Sequence, residues 1–216
     1  MWRTTGREGI GARALLDEWR LALTNGRADD SPKQAVLREL SRYFSVSEEE
    51  ALERCEGWLR YSAAEWNTRE RKSEHGLADF YETQSSWIFD TMWYHAQQAD
   101  GERPPESVMI AERLAAEGVE PGRLLDFGAG PGSTALFFAR LGWQVALADI
   151  SATMLDFSRW RLSEHGVEAR VLDLKTEDLP SMAYRVITAC DVFVHVPDPA
   201  FECLLKPSKG IFGLSG

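Results

Sequence analysis

Three glycines within five residues, Gly128, Gly130 and Gly132, constrain the fold of this 216-residue chain more than any other feature. They follow the short apolar run Arg123-Leu124-Leu125-Asp126-Phe127, which reads as a strand buried on both faces. They precede an apolar segment, 133–141, that reads as a helix stopped by Gly142. A chain passing from strand to helix there must turn sharply and leave its backbone bare to a ligand, and glycine allows both. The alternation continues downstream. Residues 144–148 predict a second strand, 152–165 a helix stopped by Gly166, and 168–172, 185–190 and 210–214 three further strands. Strands alternating with helices mean βαβ units, hence a parallel sheet with right-handed crossovers.

Upstream of Glu120-Pro121-Gly122 the pattern is helical throughout. Ser31-Pro32 with Gln34 places an N-cap, a proline at the first helical position and a capping-box residue, before the apolar stripe Val36, Leu37, Leu40 and Phe44. Ser47 with Glu50 repeats the box, and Leu52, Cys55, Leu59, Ala63 and Trp66 follow at helical spacing. Further helices are predicted over 77–97 and 105–117. The chain thus divides into a helical region, 1–118, and a sheet-bearing region, 119–216. The aromatic stretch 80–95 would either cover a ligand, line an acceptor pocket, or pack the helical core. His75 and His95 read as surface or hydrogen-bonded residues rather than ligands.

A glycine loop alone suits several nucleotide-binding folds. Asp149, ending the second strand 19 residues beyond Gly130, narrows the choice, because a carboxylate there accepts hydrogen bonds from a ribose diol and repels a 2′-phosphate. A dinucleotide fingerprint counted from Gly128 would need glycine where Ser133 stands. A P-loop needs a lysine, and the loop has none. Asp126, just before the glycines, would repel a pyrophosphate and attract an ammonium. These residues point to S-adenosylmethionine, which carries a ribose and a cationic amino acid without phosphate.

Leu124-Leu125-Asp126-Phe127-Gly128-Ala129-Gly130-Pro131-Gly132 resembles the first motif of class I S-adenosylmethionine-dependent methyltransferases, and Ala148-Asp149-Ile150-Ser151 resembles the end of their second strand. Val171-Leu172-Asp173-Leu174 stands where that family contacts adenine. Asp191-Val192-Phe193-Val194-His195-Val196-Pro197-Asp198-Pro199 is similar to the segment after the fourth strand in members acting on small molecules. Leu204-Leu205-Lys206-Pro207-Ser208-Lys209-Gly210 resembles the turn into the fifth strand, with Ser-Lys where Gly-Gly is commoner. The resemblance covers 121–216. It implies an α/β fold, a Rossmann-like mainly parallel sheet of which five strands are visible here, and methyl transfer to a small-molecule acceptor at oxygen or nitrogen rather than carbon. It also implies roles. Asp126, Gly128 and Gly130 would hold the methionine end; Asp149 would take the ribose hydroxyls, with Ile150 and Met154 beside the adenine. Asp173 and Leu174 would meet the adenine edge, and Asp191 would stand where cofactor and acceptor meet. Core packing is an equal reading for Met154, and a solvated turn a second reading for Asp173.

His195 is the candidate catalytic base, since a near-neutral imidazole beside the cofactor would take the acceptor's proton; packing in the turn is its other reading. Quinone-type members use a Glu-x-x-Glu-His cluster for a metal. Asp191, Val194 and His195 stand there in this chain, so one carboxylate is missing and no metal is predicted. The family's sheet has seven strands, and this sequence stops after the fifth. That edge would invite pairing into a homodimer, low solubility and weak activity. The rival readings are a non-catalytic cofactor-binding or interaction protein and, third, an NAD-dependent oxidoreductase.

The net charge is −10, with 15 Lys+Arg against 23 Asp+Glu in residues 1–120 and 9 against 11 in 121–216. Such a surface repels phosphate backbones, so nucleic acid is not the expected partner. No apolar run reaches membrane-spanning length and no signal peptide is visible at the start, so the expected setting is the cytoplasm without membrane insertion. Cys55, Cys190 and Cys203 are dispersed and odd in number, as reduced thiols would be.

Overall fold

The computed structural model describes residues 11–67, 84–180 and 183–192. Four strands, β1 (Arg123–Phe127), β2 (Gln144–Asp149), β3 (Arg170–Asp173) and β4 (Val186–Thr188), form a parallel sheet in the order β3-β2-β1-β4. The strand order reverses at β1. Ligands of open parallel sheets bind at such a point, outside the carboxyl ends of the strands. The fifth predicted strand, 210–214, lies outside the described residues. The third strand sits one or two residues later than expected and the fourth is shorter, the usual uncertainty at strand ends.

Eight helices are described. They are α1 (Ala12–Leu23), α2 (Pro32–Phe44), α3 (Glu48–Glu56), α4 (Trp58–Asn67), α5 (Ser86–Ala99), α6 (Glu106–Ala116), α7 (Ser133–Arg140) and α8 (Ala152–Glu164). The Ser31 hydroxyl accepts from Gln34 N–H at the start of α2, and the Ser47 hydroxyl from Glu50 N–H at the start of α3. Two expectations fail: within the helix predicted over 77–97, Gln84 and Ser85 are not helical and α5 begins only at Ser86. The stripe from Leu52 to Trp66 belongs to two helices, α3 and α4, because the first ends at Gly57. A Cβ at Gly57 would lie 2.8 Å from the Glu53 carbonyl oxygen, so the turn there depends on glycine. Leu59 consequently faces solvent.

The helical region is not a separate lobe beside the sheet. Leu15, Trp19 and Leu23 of α1 and Val108, Ala111 and Leu114 of α6 share one buried cluster with Phe137 and Phe138 of α7 and with Leu124, Val145 and Leu147 of the strands. A second cluster joins Val36, Leu40, Ile88, Phe89 and Met92 to Met154 and Phe157 of α8. The opposite sheet face carries Leu125, Ala146, Ala148 and Leu172, the alternate residues of the same strands. The described rings of the aromatic stretch thus pack largely inward, and Tyr94 donates to Glu106 (2.9 Å).

Trp19 stands at the junction, fully buried, edge-on to Phe137 at 5.6 Å and to His95 at 5.4 Å. Trp19→Ala is expected to cost about 3–5 kcal/mol. Because the cluster spans both regions, thermal unfolding followed by helix and by tryptophan signals should still show one transition, at lower temperature. Two separated transitions would mean that the sheet and the helices unfold independently.

Candidate functional site

The carboxyl edge of the sheet collects the residues singled out in the sequence. Asp126 precedes the end of β1, Asp149 ends β2 and Asp173 ends β3, with Asp149 and Asp173 in register. The glycine loop leaves β1 with Gly128 N–H and Ala129 N–H both donating to the Ala148 carbonyl (2.8 and 3.2 Å). Gly128, Gly130 and Gly132 all have positive φ, +68°, +51° and +75°. A Cβ on Gly128 would lie 2.3 Å from Val192 Cγ2, and one on Gly132 would press on Leu147 and Ser158. A Cβ on Gly130 would meet nothing within 4 Å. Two glycines therefore serve packing, and one faces open space.

Asp149 is nine-tenths buried, and both its oxygens bind the backbone. Oδ2 accepts from Gly130 N–H (3.0 Å) and Oδ1 from Ser151 N–H (2.9 Å). Burial raises its pKa above the ordinary carboxylate value, and these N–H groups partly offset the rise. Each oxygen keeps a further lone pair, so the clamp on the loop still admits a hydroxyl donor. The Ser151 hydroxyl, not Asp149, caps α8 by accepting from Met154 N–H.

Asp126 is more constrained. Its Oδ1 accepts from the Thr188 hydroxyl (2.8 Å), while its Oδ2 is buried with no hydrogen-bond partner among the described residues. Burial pushes its carboxyl up to about 7; the Thr188 hydrogen bond opposes the rise and the nearby Asp149 charge adds to it. An orphaned buried carboxylate oxygen beside a bare glycine loop fits a ligand that brings a cation.

The other predicted residues divide. Ile150 is half exposed next to Asp149, as a residue against a flat ligand would be. Met154 is buried in the core with α2 and α5. Asp173 holds its own turn, accepting from Lys175 N–H (2.9 Å), and Leu174 N–H donates to the Asp149 carbonyl (3.0 Å). Asp191 is exposed just past β4 with φ +53°, unusual for a non-glycine residue. His195 lies outside the described residues. Cys55 is buried and Cys190 half-buried; burial first, then nearby carboxylates, pushes both thiols up to about 12, so they are unreactive. Among the described residues no cluster suits a metal and no helix is long and apolar enough to cross a membrane.

The sequence reading missed Asp90. It stands on α5, and burial followed by the nearby Asp191 charge raises its carboxyl to about 6. It also missed Arg161, which the structure buries completely behind the loop residues Pro131 and Ser133. One charged residue on a helix carries no mark of burial in sequence.

Residues 124–209 match a family described as "Methyltransferase domain". The chain is 34% identical over 111 residues to a ubiquinone biosynthesis O-methyltransferase of Cronobacter sakazakii, covering 48% of this chain and 45% of that protein. It is 32% identical over 98 residues to the corresponding protein of Aeromonas salmonicida, covering 42% and 41%. It also aligns with a SAM-dependent methyltransferase structure from Thiobacillus denitrificans at 21% identity and TM-score 0.41, covering 51% of this chain and 47% of that one. The chain thus spans under half the length of these curated relatives. The match to the methyltransferase family thus lies within the sheet-bearing region, over residues 124–209.

Proposed function

We propose that this protein binds S-adenosylmethionine at the carboxyl edge of β1 and β2 and transfers its methyl group to oxygen or nitrogen of a small molecule. The observation that carries the reading is the loop itself: Gly130 opens onto free space while Asp149 grips its N–H and Asp126 keeps one buried oxygen unpaired. When bound, the cofactor supplies an electrophilic methyl on a sulfonium. The protein's part is to hold that methyl in line with the acceptor and to receive the proton the acceptor loses. Asp126 would pair with the amino acid ammonium, Asp149 with the ribose and Ile150 with the adenine face. His195 remains a proposed base. Among the described groups, Asp90 is also suited to hold a proton near neutral pH, since its carboxyl sits at about 6. The O-methyltransferase names of the relatives support oxygen as the acceptor atom, and the charge of −10 supports a small molecule over nucleic acid.

Calorimetry against S-adenosylmethionine, S-adenosylhomocysteine and NAD tests the reading. Binding of NAD alone would sink it. Asp149→Ala is expected to weaken cofactor binding by about 1.5–3 kcal/mol, the range for hydrogen bonds to a charged group. Asp149→Asn should cost less, because its amide oxygen still accepts one bond. A folded Ala variant with unchanged affinity would show that the ribose lies elsewhere.

A further inference from the structure

The glycine loop is held at a second point by a buried charge that the proposed chemistry does not use. Arg161 of α8 is fully buried. Its Nη1 donates to the Pro131 carbonyl (3.1 Å) and to the Ser133 hydroxyl (2.6 Å), and its Nε donates to Glu39 Oε2 of α2 (2.6 Å). Ser133 opens α7, and its hydroxyl lies 2.8 Å from His95 Nδ1 on α5. The hydroxyl accepts from Arg161, and toward His95 it donates or accepts according to which ring nitrogen carries the proton of the neutral imidazole. Burial first and the Arg161 charge second keep it so, pushing the imidazole down to about 3. The other Glu39 oxygen meets His165 Nε2 at 2.5 Å. Burial alone would raise the Glu39 carboxyl, but Arg161 and His165 outweigh it and hold the carboxyl below its ordinary value. Glu39 is therefore an anion anchored in the helical region.

The loop needs such an anchor. Three successive even-numbered residues with positive φ, 128, 130 and 132, are glycines, which lose the most backbone freedom on ordering. Asp149 holds the loop through Gly130 N–H. Pro131 has no N–H to offer, so its carbonyl is the handle at that residue.

We propose that Arg161, fixed by Glu39 of the helical region, is a positioning residue for cofactor binding, setting the glycine loop in its ligand-ready shape through the Pro131 carbonyl and the Ser133 hydroxyl. The inference rests on the cofactor reading above. It also assigns the helical region a role in affinity, separate from any part in acceptor recognition.

Two measurements test it: amide hydrogen exchange of residues 128–134 without ligand, and calorimetry with S-adenosylhomocysteine. Arg161→Met should speed exchange in the loop and raise Kd about tenfold or more, because it removes both charge-assisted bonds to the loop. Arg161→Lys should recover part of the loss, since an ammonium keeps the charge without the fork. Glu39→Gln should raise Kd about threefold or more by loosening the arginine. Arg42→Gln is the control. It breaks the exposed pairing of α2 with Glu164 and should leave Kd within about twofold. Should the Met variant fail to fold, the Lys and Gln variants decide. Wild-type Kd and wild-type loop exchange in both would overturn the proposal. So would an Arg42→Gln effect as large as that of Glu39→Gln, which would mean that docking of α2 in general matters. If the wild-type protein binds no S-adenosylhomocysteine, the cofactor reading fails, while loop exchange still reports whether Arg161 orders the loop.

Discussion

Gly130→Val is expected to lower cofactor affinity at least roughly a hundredfold, about 2.7 kcal/mol or more, while the protein remains folded. The separation of binding from folding follows from the loop's geometry. A Cβ at Gly130 meets no atom within 4 Å, so the side chain enters space that the cofactor-free protein leaves open. The φ of +51° makes a β-branched residue unfavourable there, at about 1–2 kcal/mol for the left-handed conformation. Against a typical stability of about 5–15 kcal/mol, that loss is tolerable. A bound nucleoside would have to share the same space with two methyl groups, and it cannot. Gly128 offers the contrast. Its added Cβ would overlap Val192 at 2.3 Å, so Gly128→Ala should damage the packing of the segment after β4 along with binding. Calorimetry with S-adenosylhomocysteine beside a thermal melt distinguishes the two. A folded Gly130→Val protein binding within threefold of wild type would place the cofactor away from this loop.

What the sequence revealed follows from how local each signal is. The strand at 123–127 and the three glycines are contiguous, and the structure has the strand where the pattern puts it. The caps at Ser31 and Ser47 were equally legible, because the hydroxyl and the N–H that it accepts from are three residues apart. The break at Gly57 was not. An apolar stripe keeps its spacing across a one-residue interruption, so periodicity alone reads two helices as one. Arg161 and Glu39 were invisible for a different reason. They lie 122 residues apart, and only the folded packing of α2 on α8 removes both from water. Met154 shows the same limit from the other side: its position after β2 suggested a ligand contact, and its burial is decided by α2 and α5. Sequence located the open side of the loop, and tertiary packing supplied what stands behind it.

Cofactor affinity is expected to rise with pH up to about 7 and then level off, with Asp126 as the titrating group. Burial, reinforced by the Asp149 charge and opposed by the Thr188 hydrogen bond, pushes the Asp126 carboxyl up to about 7. Below that pH the group is neutral in the free protein, and its unpaired Oδ2 has no charge to offer an ammonium. Binding a cationic amino acid end requires the anion, so a proton must leave. Kd should therefore rise by about fivefold between pH 7 and 6, approach tenfold per unit further below, and rise about twenty-five-fold between pH 7.5 and 5.5. Asp126→Asn removes the titration and should show a flat Kd over this range, weaker than wild type at pH 7.5 by at least about twenty-five-fold, the loss that protonation causes in wild type by pH 5.5. The cofactor-free protein should respond in the opposite direction. A folded pKa above the unfolded value means that the group's contribution to stability is full below about pH 4. That contribution is lost as pH rises through about 7. At pH 8 Asp126→Asn should therefore melt at a higher temperature than wild type. His95 stays neutral throughout, since its imidazole lies at about 3, but Asp90 at about 6 titrates within the window. Asp90→Asn is the necessary control and should keep the wild-type slope. A wild-type Kd that does not change between pH 5.5 and 7.5, or the same slope in Asp126→Asn, would show that this carboxyl does not meet the cofactor's charge.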